Sequence, residues 1–198
     1  MSLESLIKAL TTTPQKGLTK LIAIDGRGGS GKSSFAKKLS ALHPEIKILS
    51  VDSFPCSSTE YPFHSSGTQT RVDLKRLREE VLLPLIKGIT AHYTETPWWS
   101  GQSPGPKRAV KSGGLVIVEG CYSLHRELRD LYDLKIWIDC PADQALRNAI
   151  KRDAEEMREV WEQVYSPNET AYILSHAPSH VADFVVVKGG EGEFQLQG

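Results

Sequence analysis

Residues 21–33, Leu-Ile-Ala-Ile-Asp-Gly-Arg-Gly-Gly-Ser-Gly-Lys-Ser, restrict the fold more than any other stretch of the chain. Leu21, Ile22, Ala23 and Ile24 form an unbroken apolar run of strand length. Alternating polarity would mark a half-buried strand; a continuous run marks one covered on both faces, as in parallel sheets. Four glycines follow within six positions, Gly26, Gly28, Gly29 and Gly31. From Lys32 to Leu42 the pattern becomes helical, with Phe35, Ala36 and Leu39 on one side. A buried strand that turns through glycines straight into a helix is the first half of a parallel crossover.

The rest of the chain repeats that alternation. Ile46 to Val51 reads as a second buried strand ending in Asp52, and Leu115 to Val118 as a third ending in Glu119-Gly120. Leu134 to Ile138 reads as a fourth, ending in Asp139, and Phe184 to Val187 as the last. Ser2 to Leu10 has helical spacing and is stopped by Pro14 and Gly17. Val72 to Lys87 has apolar positions at Leu74, Leu77, Val81, Leu82 and Leu85. Asp73 suits the first turn of that helix, and Pro84 is expected to kink or shorten it. Ala142 to about Trp161 reads as one long helix with a basic face. Ser53 to Thr70 reads as a long loop, Gly88 to Gly113 as irregular, and Gly189 to Gly198 as a frayed tail. Strands alternating with helices predict an α/β fold: a three-layer sandwich with a mainly parallel sheet and helices on both faces.

Composition narrows the partners. Lys plus Arg and Asp plus Glu each number 24, so no net field draws the chain to nucleic acid or to an acidic membrane. Cys56, Cys121 and Cys140 are odd in number and lack zinc spacing, which points to thiols in a reducing compartment. His64, His92, His125, His176 and His180 show no metal spacing either. No targeting leader or bilayer-length apolar run is visible, so the expected location is cytoplasmic. The expected partner is a small molecule, with no nucleic acid and no membrane; a homo-oligomer stays open.

The glycine loop carries chemistry. Gly26-Arg27-Gly28-Gly29-Ser30-Gly31-Lys32-Ser33 fits the pattern Gly, any four residues, Gly, Lys, Ser or Thr. Such a loop lets main-chain N–H groups converge on phosphate oxygens at a helix N-terminus. Lys32 adds a full charge, and the Ser33 hydroxyl, with Ser34 beside it, is placed for a magnesium ion. The fold class is therefore of the P-loop NTPase type. Ligands of open parallel sheets bind at the carboxyl ends of strands, where Asp52 and Glu119 stand. Asp52 can accept a proton from an attacking alcohol or orient magnesium-bound water, and Glu119 can hold magnesium. Asp25 reads as a turn residue under the loop, and Asp139 as a helix-start residue.

Several blocks together resemble the uridine kinase family, grouped with phosphoribulokinase and bacterial pantothenate kinase. They are Ile22 through Ser33, Leu49-Ser50-Val51-Asp52-Ser53-Phe54, Val118-Glu119-Gly120, and Leu131 through Asp139 with Pro141-Ala142-Asp143. Trp161 to Tyr172, with Pro167-Asn168-Glu169, is similar to a segment of bacterial uridine kinase-like proteins. The resemblance implies one domain over 1–198, a substrate-binding insertion at 53–112 and a lid at about 147–166. It implies ATP and Mg2+ as cofactors, Asp52 as catalytic base, Glu119 as second magnesium-linked carboxylate, and Arg152 as a lid arginine assisted by Arg147. The implied reaction moves the γ-phosphoryl group of ATP to a hydroxyl group, first of all on a nucleoside such as uridine or cytidine. Pantothenate, glycerate, a sugar or a sugar phosphate is the alternative; for a sugar phosphate, Arg71, Lys75 and Arg76 can supply cations. A nucleotide-dependent switch would carry an Asn-Lys-x-Asp signal, and a transporter ATPase a Leu-Ser-Gly-Gly-Gln segment; neither is present. Two departures concern the acceptor: Phe54-Pro55-Cys56 replaces the family's Phe-Tyr, and Thr70-Arg71-Val72-Asp73 replaces its His-Pro and Asp-Phe signals. Asp73, Tyr93 and Trp98, next to Trp99, are the candidate acceptor contacts.

Overall fold

β1 (Thr19–Gly26) is buried along its whole length and lies inside a six-stranded sheet of order β2-β5-β1-β6-β7-β8. β5 (Gly114–Glu119) and β6 (Leu134–Asp139) flank it in parallel; β2 (Lys47–Ser50) and β7 (Phe184–Lys188) extend the sheet in parallel on either side. The computed structural model describes residues 3–56, 70–96, 105–188 and 194–197.

The unbroken apolar runs serve two cores. Leu21 and Ala23 of β1 and Val116 and Val118 of β5 face one side, with Leu77, Val81, Leu82 and Leu85 of α3 (residues 74–86) and Tyr172. Ile22, Ile24 and Ile117 face the other, with Leu6 and Leu10 of α1 (Leu3–Thr12) and Phe35 and Leu39 of α2 (Lys32–Leu42). The result is the expected three-layer α/β sandwich. From β1 the chain passes through α2 to β2 on one side, while β5 leads to β6 on the other. β1 is therefore the topological switch point, and the glycine loop sits at its carboxyl end.

Three expectations are corrected, and one takes a particular form. Pro84, expected to kink or shorten α3, lies within it behind a widened turn. The turn Leu77–Leu82 is a π-helix, with Leu83 N–H donating five residues back to Arg78 O. That wider turn relieves the clash a proline ring makes with the carbonyl four residues earlier. The helix expected over 142–161 stops at Asp153, as α4 (Ala142–Asp153), because Ala154 has φ 77° and ψ 163°. A short turn, Glu155–Met157, then leads to α5 (residues 158–176), whose second turn, Trp161–Tyr165, is again π. The stretch 88–113 is not wholly irregular: β3 (Ala91–Thr94) and β4 (Lys107–Val110) pair as an antiparallel hairpin. The tail holds a strand too. β8 (Phe194–Leu196) pairs antiparallel to β7, anchored by Phe194, whose ring centroid is 4.8 Å from that of Phe35. α6 (Pro178–Val181) connects α5 to β7.

Most of the Ser53–Thr70 loop, His64, Trp98 and Trp99 lie outside the described residues. No helix among the described residues is long and apolar enough to cross a membrane. None of Cys56, Cys121 and Cys140 is in a disulfide.

Ala154 holds a backbone conformation that is essentially reserved for glycine, at a cost of roughly 1–3 kcal/mol. Ala154→Gly is expected to stabilise the fold by about 1 kcal/mol. Thermal unfolding should show a rise in Tm of roughly 2–4 °C; an unchanged or lower Tm contradicts the assignment of strain to this residue.

Candidate active site

The loop is anchored from below by Asp25, a fully buried carboxylate at the end of β1. It accepts from Gly26 N–H at 2.6 Å, Leu124 N–H at 2.8 Å and the Tyr172 hydroxyl at 2.6 Å. These donors come from the loop, from the turn after β5 and from α5. Asp25 thus supports the loop backbone, as its position in the sequence suggests. Burial lifts its carboxyl to about 6 from an ordinary 3.8, against the three hydrogen bonds and the Lys32 charge, which pull it down.

Above Asp25 the loop is packed tightly. Gly29 has φ 81°, and a Cβ built there would lie 2.1 Å from Ala145 O of α4. Asn148 Nδ2 of the same helix donates to Gly29 O at 3.0 Å. A Cβ on Gly28 would lie 2.4 Å from the Trp161 indole, so only glycine lets that ring rest on the loop. Gly28 N–H donates to both carboxylate oxygens of Glu169, at 3.1 and 3.0 Å. Arg27 Nη1 donates to Thr170 Oγ1 at 3.0 Å. Ser30 Oγ is buried without a hydrogen-bond partner, and Gly31, in the left-handed region, starts α2. Lys32 Nζ donates to Gly26 O at 2.9 Å and Arg27 O at 2.8 Å, so its charge is held across the loop. Ser34 is exposed one residue into α2 from Ser33.

The two carboxylates stand where the strand ends bring them. Glu119 closes β5 opposite both Ile24 of β1 and Ser50 of β2. Ser33 Oγ donates to Glu119 Oε2 at 3.1 Å. Burial, and then the charge of Asp52, raise the Glu119 carboxyl, against Lys32 and the Ser33 hydrogen bond. Asp52 lies in the single turn Val51–Ser53 beyond β2, where its N–H donates to Ser50 Oγ. Loop, Ser33, Asp52 and Glu119 therefore converge on one edge of the sheet.

The remaining candidates are placed as follows. Arg152 pairs with Asp153, Nε to Oδ1 at 2.6 Å, and its guanidinium carbon is 5.8 Å from the Trp161 ring centroid. Arg147 is exposed and donates to Asp143 at 2.7 Å, one turn back on α4. Asp73 caps α3, its Oδ1 accepting from Arg76 N–H at 2.9 Å. Tyr93 is half-buried on β3, its ring centroid 5.0 Å from that of Phe54. Asp139 accepts from Trp137 Nε1 at 3.4 Å rather than capping a helix. Trp98 is outside the described residues. His125 and His176, far apart in sequence, meet with ring centroids 4.0 Å apart and planes tilted by 36°, beside Tyr172. Burial and the neighbouring His176 lower His125 to about 4. Among the described residues no group of three or more His, Cys, Asp or Glu is placed to hold a metal ion.

Sequence reasoning missed the stripe on α5. Trp161, Tyr165, Glu169, Tyr172 and His176 are all buried and recur at steps of four, four, three and four residues. That is one helix face: Trp161 and Glu169 lie against the loop, and Tyr172 reaches Asp25 beneath it. The signal was available: a glutamate inside an aromatic stripe at helical spacing is a carboxylate sent into a core, where it needs a donor. Sequence reasoning gave Arg71 only as one of three cations able to serve a sugar phosphate. It is half-buried, its guanidinium carbon 4.5 Å from the Tyr165 ring centroid and 5.9 Å from that of Trp161. Burial alone would lower its pKa, but Asp52 and Glu169 outweigh burial and raise it.

A parallel sheet with its switch point at a glycine loop, helices on both faces and two acids at neighbouring strand ends define the P-loop kinase fold. Among solved structures, a possible uridine kinase from Bacillus stearothermophilus matches with TM-score 0.69 and 19% identity, over 92% of this chain and 95% of that one. D-glycerate 3-kinase from Cryptococcus neoformans var. grubii serotype A matches with TM-score 0.54 and 11% identity, over 98% and 96%. In sequence, the uridine kinase of Borrelia turicatae (strain 91E135) is 28% identical over 205 aligned residues, 90% of this chain and 91% of that protein. No protein-family model matches the chain. By these likenesses the protein is an ATP-dependent kinase of a small molecule, similar in sequence to uridine kinases over nine-tenths of its length.

The anchor under the loop has a pH signature. The folded state holds the Asp25 proton more tightly than the unfolded chain, so this group's contribution to stability falls as pH rises from about 4 to about 6 and is level above. Tyr172→Phe removes a hydrogen bond to a carboxylate at pH 8 but to a neutral carboxyl at pH 5. Denaturant unfolding should show a loss of roughly 1.5–3 kcal/mol at pH 8 and a smaller one at pH 5. Equal losses at both pH values would mean that Asp25 does not titrate between them.

Proposed function

We propose that the protein transfers the γ-phosphoryl group of ATP to a hydroxyl group of a small alcohol, a nucleoside such as uridine or cytidine being the first candidate. The observation that carries this reading is the convergence of Lys32, Ser33, Glu119 and Asp52 on the phosphate loop. Among the described residues nothing donates a hydrogen bond to the Asp52 carboxylate, which leaves it able to accept one from an incoming hydroxyl and then its proton.

Ser33 Oγ and Glu119 Oε2 are 3.1 Å apart, and Asp52 adds a second carboxylate, an all-oxygen donor set of the kind that suits magnesium. Magnesium held there would neutralise charge on the phosphates. Lys32 holds the outer phosphates, and the loop N–H groups orient them for in-line attack. Residues 147–166 act as the lid: the end of α4 carries Arg147, paired with Asp143, and Arg152, near the Trp161 ring that covers Gly28, and the turn at Ala154 and the start of α5 complete it. Closing it would exclude water and favour the alcohol as acceptor. The nucleoside preference is drawn from the relatives named uridine kinase; on the chain itself, Tyr93 beside Phe54 is an aromatic surface on which a base can stack. The unbridged thiols suit a reducing cytoplasm.

The test is a panel of uridine, cytidine, pantothenate, D-glycerate and simple sugars incubated with magnesium-ATP and read by product mass. Uridine or cytidine should gain one phosphoryl group. ATP consumption with no phosphorylated alcohol in the panel counts against the acceptor class. Lys32→Ala should lower turnover by at least roughly 100-fold, as loss of a charge-stabilising donor does. Asp52→Asn should lose turnover by roughly 100-fold or more while keeping ATP affinity; normal turnover in that variant removes Asp52 as base.

A further inference from the structure

Arg71 is held in an unusual way for a surface-derived cation. Its backbone is fixed, because Cys56 N–H donates to Arg71 O at 2.9 Å and Pro55 bridges to Val72. This ties it to the segment that carries Asp52. Its side chain lies against two rings from the π turn of α5, Tyr165 and Trp161. Yet among the described residues nothing accepts a hydrogen bond from its guanidinium. Five other arginines of the acceptor side and lid have carboxylate partners. Arg76 pairs with Glu80, Arg108 with Glu95, Arg147 with Asp143, Arg152 with Asp153, and Arg158 with Glu155 and Glu162.

Arg71 also has a counterpart. Arg71 and Arg152 stand 5.9 and 5.8 Å from the same Trp161 ring centroid, and that indole rests on Gly28 of the loop. Two guanidiniums are thus packed on one ring at the loop's edge, with Asp52 within electrostatic reach of both. The repulsion between these like charges is offset in part by Asp52, Glu169 and Asp153, and a further anion lying between the two forks would offset more of it. A phosphoryl group in transfer is such an anion, its charge spread over three equatorial oxygens, and a guanidinium fork matches two of them.

We propose that Arg71 is a catalytic residue that contacts the phosphoryl group as it moves, working with Arg152 on the Trp161 platform. The assignment rests on the kinase reading above and adds a second cation, supplied from the acceptor side of the site. Arg71 lies between the segment bearing Asp52 and the start of α3.

The test compares wild type, Arg71→Lys and Arg71→Ala, each with magnesium-ATP and uridine and again with water as the only acceptor. Thermal melting checks that each variant folds, and Arg71→Lys keeps the stem on Tyr165 while losing the fork. In Arg71→Ala, kcat should fall by roughly 100-fold with either acceptor, with KM for ATP and uridine little changed. Millimolar guanidinium chloride should restore part of the lost turnover, which a merely structural role would not allow. A kcat within about threefold of wild type, or a loss confined to KM for uridine, overturns the proposal; the second result makes Arg71 an acceptor anchor. If wild type hydrolyses ATP but leaves uridine untouched, the nucleoside reading fails and Arg71 is judged on the water reaction alone. If wild type turns over no ATP in either assay, both readings fall.

Discussion

The site depends on one buried carboxylate. Asp25 has no exposure to solvent, and its desolvation is met by three donors from three different parts of the chain. An ionised group in an apolar interior is tolerated only when its oxygens are hydrogen-bonded. Leu124 must therefore present its N–H, Tyr172 its hydroxyl and Gly26 the first amide of the loop. Through that requirement the turn after β5, the middle of α5 and the glycine loop are fixed relative to one another. A loop that binds phosphate with main-chain atoms has few side chains to hold it in shape, so its shape is set from below.

The same geometry explains why α5 matters more than its distance from the loop in sequence suggests. Tyr172 reaches Asp25 beneath the loop, and Glu169, three residues earlier on the same face, reaches Gly28 N–H beside it. Trp161 then covers Gly28, and Asp153 accepts from the indole N–H at 3.0 Å, tying the end of α4 to the start of α5 across the sharp turn at Ala154. The π turn at Trp161–Tyr165 adds a residue to that stretch of helix, which shifts Trp161 and Tyr165 around the axis relative to Glu169. The positive φ at Ala154 and the π turn are both local departures from regular backbone; the π turn brings Trp161 onto the loop, and Ala154 follows Asp153, which holds that indole. Strain of this kind persists only where the surroundings over-determine it.

Much of the fold was legible because its signals are local. Continuous apolar runs gave β1, β5 and β6 within a residue or two, and the glycines gave the loop and the start of α2. The hairpin was hidden because β3 and β4 are short and largely exposed: Lys107, Arg108 and Ala109 all face solvent, so no apolar alternation marks them. Phe194 was hidden for a different reason. A single aromatic in a glycine-rich tail carries no periodicity, and only the sheet edge at β7 and the ring of Phe35 give it a place. Ala154 misled because alanine is the strongest helix former, and tertiary packing overrode that preference. Asp73 was readable both as a helix cap and as an acceptor contact, and its hydrogen bond to Arg76 N–H realises the first of these.

The two halves of the site differ in legibility for a physical reason. The phosphate half is read by main-chain N–H groups, so its sequence needs only residues that leave the backbone bare, and these must be contiguous. The acceptor half as proposed draws on side chains delivered by the hairpin, the start of α3 and the face of α5, and their order in the chain says nothing about their distance in space. Arg71 shows the consequence. In sequence it is one cation among Arg71, Lys75 and Arg76 at the start of a helix. In the fold Arg76 turns to Glu80 and to Thr94 O, while Arg71 turns inward onto Tyr165. What separates them is a ring some ninety residues further along the chain, roughly 4–5 Å away and within the range of a cation–π contact. A kinase of this fold can therefore change its acceptor by changing residues that no contiguous motif records, while the phosphate loop stays recognisable.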